Sequence, residues 1–121
     1  MNKVLIVDNS EFMRDILGEI LTKGGFEIIG EAEDGEKAVE KYKQLLPDFI
    51  SLDINMPKKD GLRALEEIKN FNSNAKIVMC SSLGQNSYIN EAKKMGATEF
   101  IIKPFVPEKV VRIFRKLSKT R

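Results

Sequence analysis

The chain has no histidine among its 121 residues. That excludes a serine-histidine-aspartate triad, a histidine zinc site and a phosphohistidine on this chain, so any acid-base chemistry rests on carboxylates and lysine. There is one cysteine, Cys80. A disulfide framework is therefore impossible, and its place inside an apolar run reads as core in a reducing compartment. No apolar stretch approaches membrane-spanning length, and the amino terminus enters a strand within a few residues instead of presenting a cleavable leader. A soluble, cytoplasmic protein is expected. An excess of charge of either sign is also missing: 20 Lys+Arg against 18 Asp+Glu leave +2, too balanced to favour nucleic acid or an anionic membrane by bulk electrostatics. Phosphate-loop and dinucleotide glycine patterns do not occur, nor does a repeat, linker or low-complexity segment.

What is present is a set of four apolar runs, each ending in a polar side chain of reactive type: Val4-Leu5-Ile6-Val7 before Asp8, Phe49-Ile50-Ser51-Leu52 before Asp53, Lys76-Ile77-Val78-Met79-Cys80 before Ser81, and Phe100-Ile101-Ile102 before Lys103. Uniformly apolar runs suit parallel strands covered on both faces, and the carboxyl-terminal edge of such a sheet is where open α/β sheets bind ligands. Two carboxylates, a hydroxyl and an ammonium would meet there.

Between the runs lie helical patterns. The first follows Asn9-Ser10, either of which can cap it, carries Met13, Ile16, Leu17, Ile20 and Leu21 on one face, and stops at Gly24-Gly25. A short strand over Phe26 to Gly30 leads to a second helix after Asp34-Gly35, with Ala38, Val39, Tyr42, Leu45 and Leu46 inward and Pro47 closing it. Met56-Pro57 breaks the chain and Asp60-Gly61 turns it into a third helix with Leu62, Leu65 and Ile68. The fourth helix follows Gly84-Gln85-Asn86. Its sparse apolar set of Ile89, Ala92 and Met95 makes it the least firmly packed. Pro107 opens the fifth, with Val110, Val111, Phe114 and Leu117 inward. Right-handed crossovers then give an α/β fold, a doubly wound five-stranded parallel sheet in the flavodoxin-like order 2-1-3-4-5 with five flanking helices, forming one domain over residues 1–121. In that order Asp8 and Asp53 face each other across the crevice at the switch point.

Val7-Asp8, Asp53-Ile54-Asn55-Met56-Pro57 with Gly61, Ser81-Ser82 and Lys103-Pro104-Phe105 together resemble the receiver domain of bacterial two-component response regulators, over the whole chain. Ser10-Glu11-Phe12-Met13-Arg14, the Cys80 to Gln85 segment and the ending soon after the fifth helix are similar to the stand-alone chemotaxis members. The resemblance implies that Asp53 is the phosphoacceptor, taking a phosphoryl group from a sensor histidine kinase. It further implies that Asp8, Asp53 and the backbone carbonyl of Asn55 hold Mg2+ with water, and that Lys103 pairs with a phosphoryl oxygen. Ser81 and Phe100 become switch residues. The readout would be the surface of the fourth helix, fifth strand and fifth helix, presented to a flagellar motor switch protein or another output protein, with a phosphatase as a further partner and without nucleic acid or membrane. The protein would be a signalling phosphoacceptor with limited self-phosphorylation and self-dephosphorylation and no turnover of a metabolite, with Asn55 and Leu83 flanking the route of the attacking water.

Two departures from the family pattern matter. The second acid after the first strand is replaced by Asn9, whose carbonyl oxygen is a further candidate ligand without charge, so the metal site should be weak. Phe100 stands where tyrosine is commonest and has no hydroxyl. Taken singly, each residue has a plainer reading. Asp8 alone fits a residue capping the first helix, Asp53 a turn residue, Ser81 a loop hydroxyl and Phe100 core packing. Lys103 is the exception, since a lysine at a strand end has little structural purpose without a carboxylate partner. Lys109, Arg112, Arg115, Lys116, Lys119 and Arg121 make the last helix basic, either as a solvated face favoured by the helix dipole or as a dock for an acidic peptide. A haloacid-dehalogenase-type phosphohydrolase needs a second carboxylate two residues after its nucleophile, where this chain has Ser10. A flavodoxin needs a phosphate-cradling loop that Asn9-Ser10-Glu11-Phe12 does not provide. The remaining alternative is a receiver domain excised from a DNA-binding transcription factor or a chemotaxis methylesterase. The Lys103-Pro104 bond is left open between cis and trans.

Overall fold

The structure is a computed structural model that describes residues 2–54, 56, 60–82 and 86–119. Asn55, Pro57, Leu83, Gly84, Gln85 and Arg121, all invoked above, lie outside the described residues. Strands and helices alternate as β1 (Lys3–Val7), α1 (Glu11–Lys23), β2 (Glu27–Ala32), α2 (Gly35–Leu45), β3 (Phe49–Asp53), α3 (Gly61–Phe71), β4 (Ile77–Ser81), α4 (Asn86–Lys94), β5 (Glu99–Ile102) and α5 (Pro107–Ser118). The strands pair in parallel in the order β2-β1-β3-β4-β5, as the sequence predicts.

Strand alternation divides the interior into two layers. Val4 and Ile6 of β1, Phe49 of β3, Val78 and Cys80 of β4 and Ile101 of β5 pack with Leu17 and Leu21 of α1 and with Val110, Phe114 and Leu117 of α5. Leu5, Val7, Ile50, Leu52, Ile77 and Met79 take the opposite face, against Ala38, Val39 and Tyr42 of α2, Ala64, Leu65 and Ile68 of α3 and Ala92 of α4. Each central strand is thus covered on both sides, which explains why its run carries no polar alternation. β2, at the sheet edge, is only partly buried.

Three differences from the sequence reading have physical causes. β2 begins one residue later and runs two residues further, to Ala32, because its ladder with β1 continues to the Val7–Ala32 pair. Ser81 is the last residue of β4 and pairs with Ile102, so it is held by the sheet and not by a loop. Leu45 and Leu46 do not face the core: they are 39% and 62% exposed. The helix ends with Leu46 in the left-handed region (φ 47°), its N–H donating to the Tyr42 carbonyl, which turns the chain outward before Pro47. The expectation for α4 holds, since it buries Ala92 alone where each other helix buries two to four residues.

Under α5, the rings of Phe26, Phe49 and Phe114 meet edge to face with centroids 5.7 to 5.9 Å apart, a geometry that adds to simple burial. Phe114 is fully buried between the other two. Its truncation in Phe114→Ala is expected to cost about 3–5 kcal/mol of stability, measured by urea denaturation. A cost under about 0.5 kcal/mol, the range of surface changes, would contradict this packing.

Candidate functional site

β1 and β3 run in register with Val7 beside Leu52, so the next residue on each strand, Asp8 and Asp53, leaves the sheet side by side. β3 pairs Asp53 with Cys80, and the ladder between β4 and β5 continues past Ser81 and Ile102, the Lys103 N–H donating to the Ser81 carbonyl at 2.7 Å. The four polar residues that end the apolar runs therefore meet on one edge, as expected. Lys103 has the same strand parity as Ile101, and Asp8 and Asp53 that of Ile6 and Ser51. Neighbouring strands lie about 4.8 Å apart, so only a long side chain can cross the end of β4 to reach both acids. The Lys103 Nζ lies 2.7 Å from Asp8 Oδ2 and 3.4 Å from Asp53 Oδ2.

These charges are largely removed from water: Asp8 is 5% exposed and Asp53 9%. Burial by itself lowers the Lys103 pKa. The hydrogen bond with Asp8 and the charges of Asp53 and Asp8 more than reverse that and hold the ammonium above its ordinary range. The same field reaches Cys80, whose thiol is pushed up to about 12, first by burial and then by Asp53, with Lys103 opposing. Cys80 therefore stays a protonated core residue.

The other groups fix this cluster. The Asp8 N–H donates to the Ala32 carbonyl at 3.1 Å. Asp8 Oδ1 accepts from the Ser10 N–H at 2.9 Å, and Ser10 Oγ in turn caps α1 by accepting from the Met13 N–H. Gly61, at the start of α3, donates to the Ile54 carbonyl at 2.8 Å. A Cβ on Gly61 would lie 2.2 Å from the Asp53 carbonyl oxygen. No larger residue fits without moving the strand end that carries Asp53. The Ser81 hydroxyl is buried and has no hydrogen-bond partner among the described residues, a costly state in a polar cleft that a ligand oxygen would relieve. Phe100 is half-buried against the α2/α3/α4 layer, with the Lys93 ammonium 5.6 Å from its ring centre. The Lys103–Pro104 bond is cis. Asn9 is exposed beside Asp8, and Asn55 lies outside the described residues.

The donor chemistry suits a hard cation. Among the described residues no group of three histidine, cysteine, aspartate or glutamate side chains is placed to hold a metal ion. The cleft instead offers the Asp8 and Asp53 carboxylates, a set that fits a magnesium ion retaining several waters and does not fit a zinc or calcium cage.

One contact had no counterpart in the sequence reading. Arg14 of α1 donates through Nη1 to the Asp8 carbonyl at 2.7 Å and through Nε to Glu31 Oε1 at 2.8 Å. Its only signal is position: a cation at the second turn of a helix that begins next to a strand-end acid.

A fold of this order with paired acids, a hydroxyl and a lysine on its carboxyl-terminal edge defines a class. Residues 4–115 match the response regulator receiver domain model, and the chain belongs to that family. Within it, the chain is similar to chemotaxis protein CheY of Thermotoga maritima, 50% identical over 117 residues covering 97% of this chain and 98% of that one. It is also similar to chemotaxis protein CheY of Bacillus subtilis, 47% identical over 115 residues covering 95% and 96%. Among solved structures, the CheX-CheY-BeF3-Mg+2 complex from Borrelia burgdorferi superposes with a TM-score of 0.91 at 42% identity, covering 96% of this chain and 88% of that one.

Because Lys103 is held above its ordinary pKa, the stability it contributes is fully present below about 10.5 and is lost as pH rises through the raised value. The stability difference between the wild type and Lys103→Met should accordingly shrink once pH passes about 10.5 in urea melts. A difference constant across that range would contradict the ion pairing.

Proposed function

We propose that this chain is a phosphoacceptor of a two-component relay in chemotaxis, that it forms one domain over residues 1–121, and that Asp53 receives the phosphoryl group. The observation that carries this reading is one ammonium shared by two buried carboxylates beside a buried hydroxyl that has no partner among the described residues. An isolated carboxylate attacks phosphorus poorly, because two anions must approach in line and their charge has to be neutralised. Asp53 Oδ attacks the phosphorus of a phosphohistidine on a sensor kinase, or of acetyl phosphate. The bond from phosphorus to imidazole nitrogen or acetate oxygen breaks, and the leaving group keeps the electron pair. Lys103 stays within reach of Asp53 and follows the negative charge as it moves onto the phosphoryl oxygens. Ser81 donates its hydroxyl to one of those oxygens.

Asp8, Asp53, the Asn55 backbone carbonyl and the Asn9 side-chain carbonyl would hold Mg2+. Bound there, the ion supplies the positive charge that lets two anions approach. The magnesium in the Borrelia complex belongs to that protein, and supports the same assignment here. In self-dephosphorylation water attacks the phosphorus, the bond to Asp53 Oδ breaks with the electron pair returning to the carboxylate, and inorganic phosphate leaves; Asn55 and Leu83 are the residues the family resemblance assigns to the water's route. No helix among the described residues is long and apolar enough to cross a membrane, which accords with a cytoplasmic relay. Phosphorylation would draw Ser81 and Phe100 inward and reshape the α4-β5-α5 surface read by a flagellar motor switch protein or other output protein. Ile102, at 40% exposure, and Tyr88, at 44%, supply apolar contact area there.

Incubation with acetyl phosphate and Mg2+ should add one phosphoryl mass in intact mass spectrometry, and Asp53→Asn should abolish it. Persistence of the adduct in Asp53→Asn would remove Asp53 from the role. Restoring the missing acid in Asn9→Asp should tighten Mg2+ binding in isothermal titration, since a charged oxygen replaces a neutral one. Equal affinities would show that Asn9 lies outside the ion's shell.

A further inference from the structure

We infer that Arg14 is a positioning residue for the acid loop, clamping the Asp8 peptide so that the loop is ready for a cation before one arrives. The inference rests on the proposed magnesium-dependent reading of the cleft. After Val7 the chain must leave β1 and enter α1 within three residues, with Asp8 buried at the strand end and Asn9 exposed beside it. The Asp8 N–H is still bound to the sheet through Ala32, but its carbonyl has left the ladder. Arg14, the fourth residue of α1, reaches back and supplies the donor. Its side chain is 14% exposed, and the guanidinium is fixed by Glu31 on the edge strand β2. Two N–H groups of one rigid plane therefore connect α1, β2 and the peptide between Asp8 and Asn9.

This clamp matters more here than it would beside two acids. A charged ligand can draw a loose loop toward a cation by its own attraction, whereas the neutral carbonyl of Asn9 has little such pull. Its contribution depends on being in place already, so the cost of ordering the loop is met by Arg14 in the free protein. Asp8 gains equally: with Oδ1 on the Ser10 N–H and its carbonyl on Arg14, the carboxylate has a defined direction even when Lys103 shifts. Outer partners of metal ligands act in this way.

The test is Mg2+ titration calorimetry on wild type, Arg14→Ala, Arg14→Lys and Glu31→Ala, with thermal melts of each. Arg14→Ala should weaken Mg2+ roughly tenfold, the scale of outer-partner losses. Arg14→Lys should recover part of that, since its ammonium can donate to the Asp8 carbonyl but lacks the planar fork. Glu31→Ala, at a half-exposed edge position where substitutions usually change stability little, should weaken Mg2+ measurably but less than Arg14→Ala does, by freeing the guanidinium. The amide signals of Asn9 and Ser10 should shift in the metal-free variants. If Arg14→Ala folds and binds Mg2+ as the wild type does, the inference is overturned. If Arg14→Ala does not fold, Glu31→Ala and Arg14→Lys with wild-type affinity and unmoved amides overturn it equally. A wild type that neither binds Mg2+ nor accepts a phosphoryl group from acetyl phosphate would instead bring down the underlying reading, a result the variants cannot imitate.

Discussion

The arrangement of the cleft follows from one ammonium placed between two carboxylates. Asp8 and Asp53 lie on adjacent strands in register, both nearly removed from water, and like charges so placed destabilise a fold unless a counter-charge stands between them. Lys103 is that counter-charge, and the sheet order dictates which residue can serve. It must come from a strand whose ladder reaches the same edge, on the same parity, with a side chain long enough to cross an intervening strand. Breaking a buried pair of this kind typically costs about 3–5 kcal/mol, so the cluster is held by the fold and contributes to holding it. Lys103 lies 2.7 Å from Asp8 and 3.4 Å from Asp53, so a single ammonium spans both acids.

The rest of the molecule makes that edge stiff where the proposed chemistry sits and soft where the signal would leave. β1 and β3 are buried on both faces, the start of α3 presses against the Asp53 backbone with no room for a Cβ at Gly61, and the phenylalanine cluster anchors α5 beneath the sheet. α4, by contrast, rests on Ala92 and on partly buried Ile89 and Met95. A segment with few buried apolar contacts responds to small changes in its neighbours.

Much of this could be read from the chain because the governing patterns are short and repeated. Uniformly apolar runs separated by helical periodicity leave few alternatives to a doubly wound parallel sheet, and once the order is granted the strand-end positions of Asp8, Asp53, Ser81 and Lys103 follow from connectivity. Strand ends were less legible, because ladder pairing extends β2 to Ala32 and takes Ser81 into β4, and neither depends on local composition. Leu45 and Leu46 misled for a related reason: hydrophobicity marked them as core, while a left-handed residue at the helix end turned them out. The roles of Gly61 and Arg14 were hidden altogether. One is a steric requirement set by a strand elsewhere in the sequence, and the other a side chain reaching back to a backbone carbonyl, for which no periodicity exists.

The empty hydrogen-bond capacity of Ser81 and the looseness of α4 are connected through β4. Ser81 ends the strand from which the chain proceeds toward α4, and its hydroxyl is buried with nothing among the described residues to accept its proton. On the proposed reading, a phosphoryl group on Asp53 neutralises that carboxylate and places about two negative charges further out. Lys103 must then follow the charge outward, and Ser81 acquires the acceptor it lacks. Both shifts pull the ends of β4 and β5 toward the crevice. Phe100 is only half-buried, with the Lys93 ammonium of α4 5.6 Å from its ring centre, so a movement of this ring would be felt by α4. A charge change at one aspartate thus reaches the outer surface through two strand ends and a weakly packed helix, with no need for the rigid layer beneath α5 to move.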